Sequence, residues 1–402
     1  MKVKQIDDFK QNLKNSGSND LVLPVFDQIN VKAFQLMRPQ TSNIIAQPNL
    51  SLTLSDEFGF IFSNNQLLDL KIPSSYQDQG LIIVDLKQAV EQYSDLFMTY
   101  FSKLIRPRED LITYEHYCRL TGGVFVYVPD GMKIEQTLQA YFDFEPNGHS
   151  NHVVVVLGKG SKFSIAENQV SKDVGQGNYS NFFEIYAKDH SKLSYVINDQ
   201  AKTTGHNYFY RYFKCFENSR VNLTSGEFAK GNVLINNKVS LEGNDSVGEV
   251  KTIAIAQDDQ TMAINSRVTN RGLRTRGNIL QHGVILDQAK LVFNGIGQIV
   301  KGARGADSQQ ENRVLMLSKK SRGDANPILL IDENDVTAGH AASVGRIDKQ
   351  QLYYLTSRGL SENIAKRMII KGFLESVITV IESDRTKKML RSVIERSLGI
   401  DN

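Results

Sequence analysis

The hydrophobic pattern changes period along the chain, and from about residue 121 apolar positions recur at every second residue. The segment GGVFVYVPDG (122–131) predicts a strand that ends in a Pro-Asp-Gly turn. The segment HVVVVLGKG (152–160) is a continuous apolar run followed by a glycine turn. Such runs are typical of strands buried on both faces, as in parallel sheets.

The turns between these strands repeat. KGSKFSI, DHSKLSY, ENSRVNL and DQAKLVF begin at Lys159, Asp189, Glu217 and Asp287, and GNDSVGEV at Gly243 is a weaker copy. The first two intervals are 30 and 28 residues, a period that favours a solenoid. Because almost no helical pattern occurs between 151 and 333, we predict a β-helix with a shared apolar interior. An antiparallel sandwich is the alternative, since it also has many short strands.

Both ends of the chain have helical periodicity. Residues 80–105 begin as a strand and become helical after Asp85. Beyond Gly345, we predict three helices that begin at Asp348, Ser361 and Asp384. On the second helix the pattern suggests an apolar face made of Ile364, Met368, Ile369, Phe373 and Val377. The predicted domains are an N-terminal mixed helical region (1–115), a β-helix core (116–340) and a C-terminal helical domain (341–402).

Composition narrows the class of protein. The 402 residues include 41% hydrophobic residues, enough for a real core, and the net charge of +3 is too balanced to indicate nucleic-acid binding. The sequence contains no run of about 18 apolar residues, the length that a membrane-spanning helix needs. The N-terminal segment MKVKQIDDFKQNLK lacks the apolar stretch of a signal peptide, so we expect a cytoplasmic protein. Cys118 and Cys215 show no metal-binding spacing, and we expect them to pack as small apolar side chains.

Motifs for catalysis are missing from the sequence. It contains no phosphate-binding GxxxxGK[ST], no GxSxG and no HExxH, so we predict that the chain is not an enzyme. His149 and His152 would point to opposite faces of a strand, and we interpret them as solvated turn residues. Arg267, Arg271, Arg274 and Arg276 suggest either a phosphate-binding strip or a solvated sheet face with cross-strand partners. The second interpretation is favoured, because aromatic residues are not interleaved with the arginines.

One histidine lies where the strand pattern gives way to the helical one. His340 is the imidazole in DVTAGHAASVGRID, and its neighbours are small. A lone histidine usually packs or forms hydrogen bonds. Small neighbours, however, allow a second chain to come close, so His340 is also a candidate metal ligand that two subunits would share.

The chain resembles the SufB/SufD family, the non-ATPase subunits of SUF iron–sulfur cluster assembly. The resemblance rests on the tail NDVTAGHAASVGRIDKQQLYYLTSRGLSENIAKRMIIKGFLESVI, on TGGVFVYVPDGMKIEQTLQAYF and on HVVVVLGKGSKFSIAEN, and it extends from about residue 52 to about 382. It implies a right-handed parallel β-helix between helical regions and a scaffold function without catalysis. It also implies pairing with a SufB-like paralogue through the β-helix, or with a second copy when SufB is absent.

The resemblance has further implications for individual residues. C-terminal helices of the family dock the SufC ATPase, and we expect Leu352, Tyr354, Met368 and Phe373 to supply the contacts. No cofactor of the chain's own is expected, but an iron–sulfur cluster at the interface with SufB would use His340 as a ligand.

The SufD branch of the family fits better than the SufB branch. No cysteine follows Cys215, so a late scaffold cysteine of the SufB type has no counterpart here. Ala338 stands where some SufD chains have a cysteine, which removes one thiolate ligand. The alternatives are a SufB-like paralogue or a carbohydrate-active β-helix enzyme, which would need clustered carboxylates in a groove.

Overall fold

The structure is a computed structural model that describes residues 4–24, 54, 57–63, 65–144, 148–171 and 177–398. Within these residues the chain forms a parallel β-solenoid with helices at both ends, which confirms the predicted fold class and not the antiparallel sandwich. The strands are β1 Gly59–Ser63, β2 Gln66–Lys71, β3 Ile82–Asp85, β4 Gly122–Val128, β5 Lys133–Asp143, β6 His149–Leu157, β7 Lys162–Val170, β8 Tyr179–Ala187, β9 Lys192–Asp199, β10 Lys202–Cys215, β11 Arg220–Glu227, β12 Lys230–Leu241, β13 Val247–Ala256, β14 Thr261–Asn270, β15 Arg276–Ile285, β16 Lys290–Ile299, β17 Ala306–Met316, β18 Arg322–Ile331 and β19 Val336–Arg346.

Two sheets form the walls of the solenoid, and from β4 onward successive strands alternate between them. The ten-stranded sheet has the order β19-β17-β15-β13-β11-β9-β7-β5-β1-β2, and the nine-stranded sheet has the order β18-β16-β14-β12-β10-β8-β6-β4-β3. Neighbouring strands are parallel except for the pairs β1–β2 and β3–β4. The N-terminal region therefore supplies the first strands of both sheets as well as helices.

Helices precede and follow the solenoid along the chain. They are α1 Lys4–Asn15, α2 Ser74–Gln77, α3 Leu86–Gln92, α4 Ser94–Tyr100, α5 Leu111–Cys118, α6 Lys349–Ser357, α7 Glu362–Thr379 and α8 Asp384–Ser397. The strand-to-helix change at Asp85 is confirmed, since its side chain caps α3 by accepting a hydrogen bond from the Gln88 N–H. None of these helices is long and apolar enough to cross a membrane.

The predicted turn repeat is a column of hydroxyls at one corner of the solenoid. Each hydroxyl donates to the carbonyl three residues earlier, over 2.7–3.2 Å, and the members are Ser161, Ser191, Ser219, Ser246 and Thr275. A residue with positive φ precedes each one, such as Gly160 at 64° and His190 at 58°. The small residue thus closes a left-handed turn that stacks on the next coil.

The turn at Asp287, predicted as one of these repeats, lies at the other corner of the solenoid. It leads into β16 of the nine-stranded sheet, whereas the other copies lead into the ten-stranded sheet. In this turn the residue with positive φ, Asp287 at 46°, lies two positions before the small residue Ala289, whereas in the other copies it immediately precedes the small residue. The two corners thus differ in this spacing, although their turn residues are similar in composition.

The interior is apolar along most of its length but contains buried charges in the middle. Arg211 and Glu167 are fully buried and form an ion pair of 2.6 Å, and the Tyr195 hydroxyl donates to Glu167 at 2.7 Å. Asp199 and Glu227 are buried neighbours in register on β9 and β11. Burial, and then the Glu227 charge, raise the pKa of Asp199 well above its usual value.

The interpretation of His149 and His152 as solvated turn residues is wrong. The N-terminal helices cover His152 on the outer face of the nine-stranded sheet, while His149 packs on Phe144 and Tyr179 inside the solenoid. Both lie on β6 and are buried, on opposite faces as their spacing predicts. His152 Nε2 lies 3.0 Å from the buried Glu184 carboxylate. That carboxylate also accepts hydrogen bonds from the backbone N–H groups of residues 102, 104 and 105, so it attaches the loop after α4 to the solenoid.

The C-terminal helices α7 and α8 pack on the outer face of the ten-stranded sheet. The apolar face predicted for α7 is partly wrong, since Ile364 and Met368 are 47% and 50% exposed. The buried stripe consists of Ala365, Ile370, Leu374, Val377 and Ile378. Two predicted boundaries also shift, because β19 continues to Arg346 and Ser383, not Asp384, caps α8.

Both cysteines are buried and unbonded, as expected. Burial raises the pKa of the Cys215 thiol to about 12, which leaves it protonated and chemically inert near neutral pH.

Candidate functional site

The solenoid ends in two edge strands, β18 and β19. Each is the last strand in the order of its sheet, so one side of its backbone has no strand partner within the described residues. Apolar side chains near this edge are exposed to solvent: Leu330, Ile331 and Val344 are each 41% exposed. An exposed strand edge with apolar side chains is a template for pairing with another chain.

His340 lies in the middle of this edge. It is exposed on β19 and pairs in register with Gln310 on β17, and its imidazole has no hydrogen-bond partner among the described residues. Space beside β19 is open at Gly345, where an added Cβ would meet no atom within 4 Å. The place where the sequence changes from the strand pattern to the helical pattern is therefore an accessible strand edge that carries an imidazole.

The solenoid layer next to His340 is polar instead of apolar. The Gln310 amide donates to the Ile328 carbonyl at 2.9 Å, and the Gln281 amide donates to Asn312 Oδ1 at 3.0 Å. One further polar atom on each of Gln310 and Asn312 is buried without a partner among the described residues. These buried amides hydrogen-bond to one another and to the backbone, where apolar side chains fill the earlier coils.

His340 alone cannot hold a metal ion. In the described part of the chain, no three His, Cys, Asp or Glu side chains lie close enough together to coordinate one. Ala338, two residues before His340 on the same face of β19, offers no ligand atom. One imidazole is a suitable ligand for iron or zinc, but the remaining ligands would have to come from another subunit.

The residues predicted to dock an ATPase fall into two groups. Tyr354 and Met368 are 57% and 50% exposed, whereas Leu352 is half-buried. Phe373 faces the solenoid and stacks on His282, with the ring centres 4.9 Å apart, so its ring already has a partner within this chain.

The sequence pattern missed two members of the exposed surface, Tyr353 at 75% and Ile364 at 47% exposed. We define the C-terminal apolar patch as Tyr353, Tyr354, Ile364 and Met368. The Tyr-Tyr pair and the apolar residues off the buried stripe of α7 are the signals that mark it. Beside the patch, a cavity of about 420 Å³ lies between the end of β19 and helices α6 and α7.

The four arginines Arg267, Arg271, Arg274 and Arg276 also fall into two groups. Three of its members have carboxylate partners, as favoured from the sequence: Arg271 with Glu242 at 3.4 Å, Arg274 with Asp245 at 2.6 Å and Arg276 with Asp307 at 3.8 Å. Arg267 has no such partner among the described residues.

Comparisons with known proteins identify the family. The family model described as SUF system FeS cluster assembly, SufBD core domain, matches residues 142–373, and the SufBD protein N-terminal region matches residues 52–140. The chain is 38% identical to the iron–sulfur cluster assembly protein SufD of Bacillus subtilis, over 82% of this chain and 76% of the relative. It is 25% identical to the SufB protein of the same organism, over 80% of this chain and 70% of the relative.

A SufBD family protein of Staphylococcus saprophyticus is also 25% identical, over 80% of this chain and 71% of the relative. The alternative of a carbohydrate-active enzyme finds no support in these matches. The solenoid, the flanking helices and the two family matches agree, and the chain belongs to the SufBD family of the SUF iron–sulfur cluster assembly system.

Proposed function

We propose that this chain is a non-catalytic scaffold subunit that pairs with a SufB-like paralogue and carries a SufC-like ATPase. The open edge formed by β18 and β19 carries the proposal, because it combines unpaired strands, exposed apolar side chains and an accessible imidazole. The greater identity to SufD than to SufB supports the SufD-like role in such a pair.

The edge would extend both sheets of the solenoid into the partner. Main-chain hydrogen bonds across the new strand pairs would supply affinity, and Leu330, Ile331 and Val344 would become buried between the subunits. His340 would then face the partner, and it would contribute one ligand to an iron–sulfur cluster whose other ligands belong to the partner. In the absence of the paralogue, the same edges could pair with a second copy of this chain.

ATP hydrolysis would come from the docked subunit. We place the docking surface at the C-terminal apolar patch, with Leu352 and Phe373 behind it. Because α7 packs on β13 and β15, a force on this helix would be transmitted directly to the solenoid wall.

Co-expression with a tagged SufB-like paralogue tests the proposed pairing. Leu330→Asp places a charge on the open edge and should abolish co-purification, since an unpaired carboxylate would be buried at the interface. Leu68→Asp is a matched control, because Leu68 is 44% exposed on β2, at the opposite end of the ten-stranded sheet. Co-purification of Leu330→Asp at the wild-type level would contradict the pairing.

A further inference from the structure

The outer face of the nine-stranded sheet carries two adjoining cavities with basic walls. The larger, about 970 Å³, is lined by Lys103, Arg106, Arg108, Lys214, Lys238 and Glu109. The smaller, about 180 Å³, is lined by Lys238, Arg267, Arg271, Thr269 and Gln298. Tyr212 and Lys238 line both cavities, so the two adjoin at these side chains, and we call them together the basic groove. The groove lies on a different sheet from the one that α7 and α8 cover.

Carboxylates neutralise this groove only in part. Arg108 is paired with Asp20, Lys238 with Glu109 at 2.7 Å, and Arg271 with Glu242 at 3.4 Å. The other basic side chains of the groove, Lys103, Arg106, Lys214 and Arg267, have no carboxylate partner within the described residues. An excess of positive charge therefore remains in a partly enclosed space, where it is screened less than on open surface.

Two details near Arg267 are not explained by the fold. Arg267 and Lys238 are direct neighbours in register on β14 and β12, and like charges at neighbouring strand positions destabilise a sheet. The Nε atom of Arg267 is buried without a hydrogen-bond partner among the described residues. Glu109 offsets part of the repulsion through its ion pair with Lys238, and an anion bound between the guanidinium and the ammonium groups would offset the rest.

We propose that this groove binds a phosphate-bearing small molecule of nucleotide size. A phosphate group fits the smaller cavity, where Arg267 would donate through its fork of N–H groups and Lys238 would contribute a point charge. Thr269 supplies a hydroxyl beside them. The larger cavity accommodates the rest of the ligand, with the Tyr212 ring at the junction as a surface for stacking.

Isothermal titration of the purified full-length chain with inorganic phosphate, pyrophosphate and ADP tests the site. We expect binding that weakens with added salt, and a loss of affinity of about tenfold or more in Arg267→Gln. Arg274→Gln removes the same charge from an exposed corner and should stay within about twofold of the wild type. Lys214→Gln is a second variant in the groove, and circular dichroism melts verify that each variant is folded.

The probes also separate the sources of affinity. Similar affinities for ADP and pyrophosphate would assign recognition to the phosphates alone, while tighter ADP binding would add a contribution from Tyr212. The proposal is overturned if none of the three probes binds, or if Arg274→Gln loses as much affinity as Arg267→Gln. Binding of poly-glutamate without binding of any phosphate probe would also overturn it, in favour of an acidic protein segment.

Discussion

Individual buried charges have the clearest energetic consequences in this molecule. Asp199 accepts a hydrogen bond from the Ala201 N–H at 3.1 Å through Oδ1, but its Oδ2 is buried without a partner among the described residues. Because its pKa is raised, the folded protein retains a proton that the unfolded chain releases above about pH 4. The contribution of Asp199 to the free energy of unfolding therefore falls as the pH rises above about 4.

Asp199→Asn should stabilise the protein at neutral and alkaline pH. The amide retains the oxygen acceptor and carries no charge, so we expect a gain of about 1–2 kcal/mol in the free energy of unfolding at pH 8 and a smaller gain at pH 5. Urea titrations at both pH values measure the difference. Asp245→Asn is the control and should not raise the free energy of unfolding, since the hydrogen bond from Arg274 lowers the pKa of Asp245. A less stable Asp199→Asn protein at pH 8 would refute the argument.

His149 gives the opposite pH dependence. Burial lowers its pKa to about 4, so the unfolded chain binds a proton between roughly pH 6.5 and pH 4 that the folded protein excludes. Stability from this group is complete above pH 6.5 and is lost as the pH falls to about 4. His149→Phe retains the ring packing against Phe144 and Tyr179.

We expect the His149→Phe protein to lose about 2 kcal/mol less stability than the wild type between pH 7.5 and pH 5. Urea titration of both proteins at the two pH values gives this double difference, from which any constant cost of the substitution cancels. Identical losses in the two proteins would mean that His149 is not the titrating group.

Elements of the chain differ in how far the sequence predicts them. The helix starts at Asp85, Asp348 and Ser361 are encoded locally, by one side chain and the backbone N–H groups that follow it, and the structure confirms all three. The buried face of α7 is decided by the sheet that it packs on. A helix with apolar residues around most of its circumference, such as α7, does not specify which stripe is buried.

Tertiary context also explains the misplaced histidines. His152 lies on an outer sheet face, which normally contacts solvent, and nothing in the sequence near it shows that the N-terminal helices would cover β6. His149 faces the interior because β6 begins there, four residues before the apolar run at Val153 that marks the strand in the sequence. The edge position of His340 was predictable, because the strand pattern ends there. The other metal ligands of a cluster at His340 were not predictable, since no described residue of this chain supplies them.

The C-terminal apolar patch is expected to act as one unit. Met368→Asp places a charge within the patch and should remove SufC binding in a pull-down, because binding would have to bury that charge. Val380→Asp is a matched control, since Val380 is 51% exposed and follows the last residue of α7, about 18 Å from Met368. Binding of SufC to Met368→Asp at the wild-type level would remove the patch from the proposal.

At the scale of the whole molecule, the solenoid separates three surfaces. Helices α7 and α8 cover one sheet, the N-terminal helices and the basic groove occupy the other, and the open edge lies at the end of both. Parallel stacking gives a stiff wall, because each strand is held by neighbours on both sides until the last coil. The exposed edge is therefore where assembly with another subunit would add the missing neighbours.

The most direct measurement for the proposed role is the iron and acid-labile sulfide content of the complex with SufB-like and SufC-like subunits, purified anaerobically. His340→Asn should leave the complex assembled but reduce both contents several-fold, because one cluster ligand is lost. His190→Asn changes an exposed turn histidine whose positive φ asparagine tolerates, and it should match the wild type. Wild-type iron and sulfide in the His340→Asn complex would contradict the account.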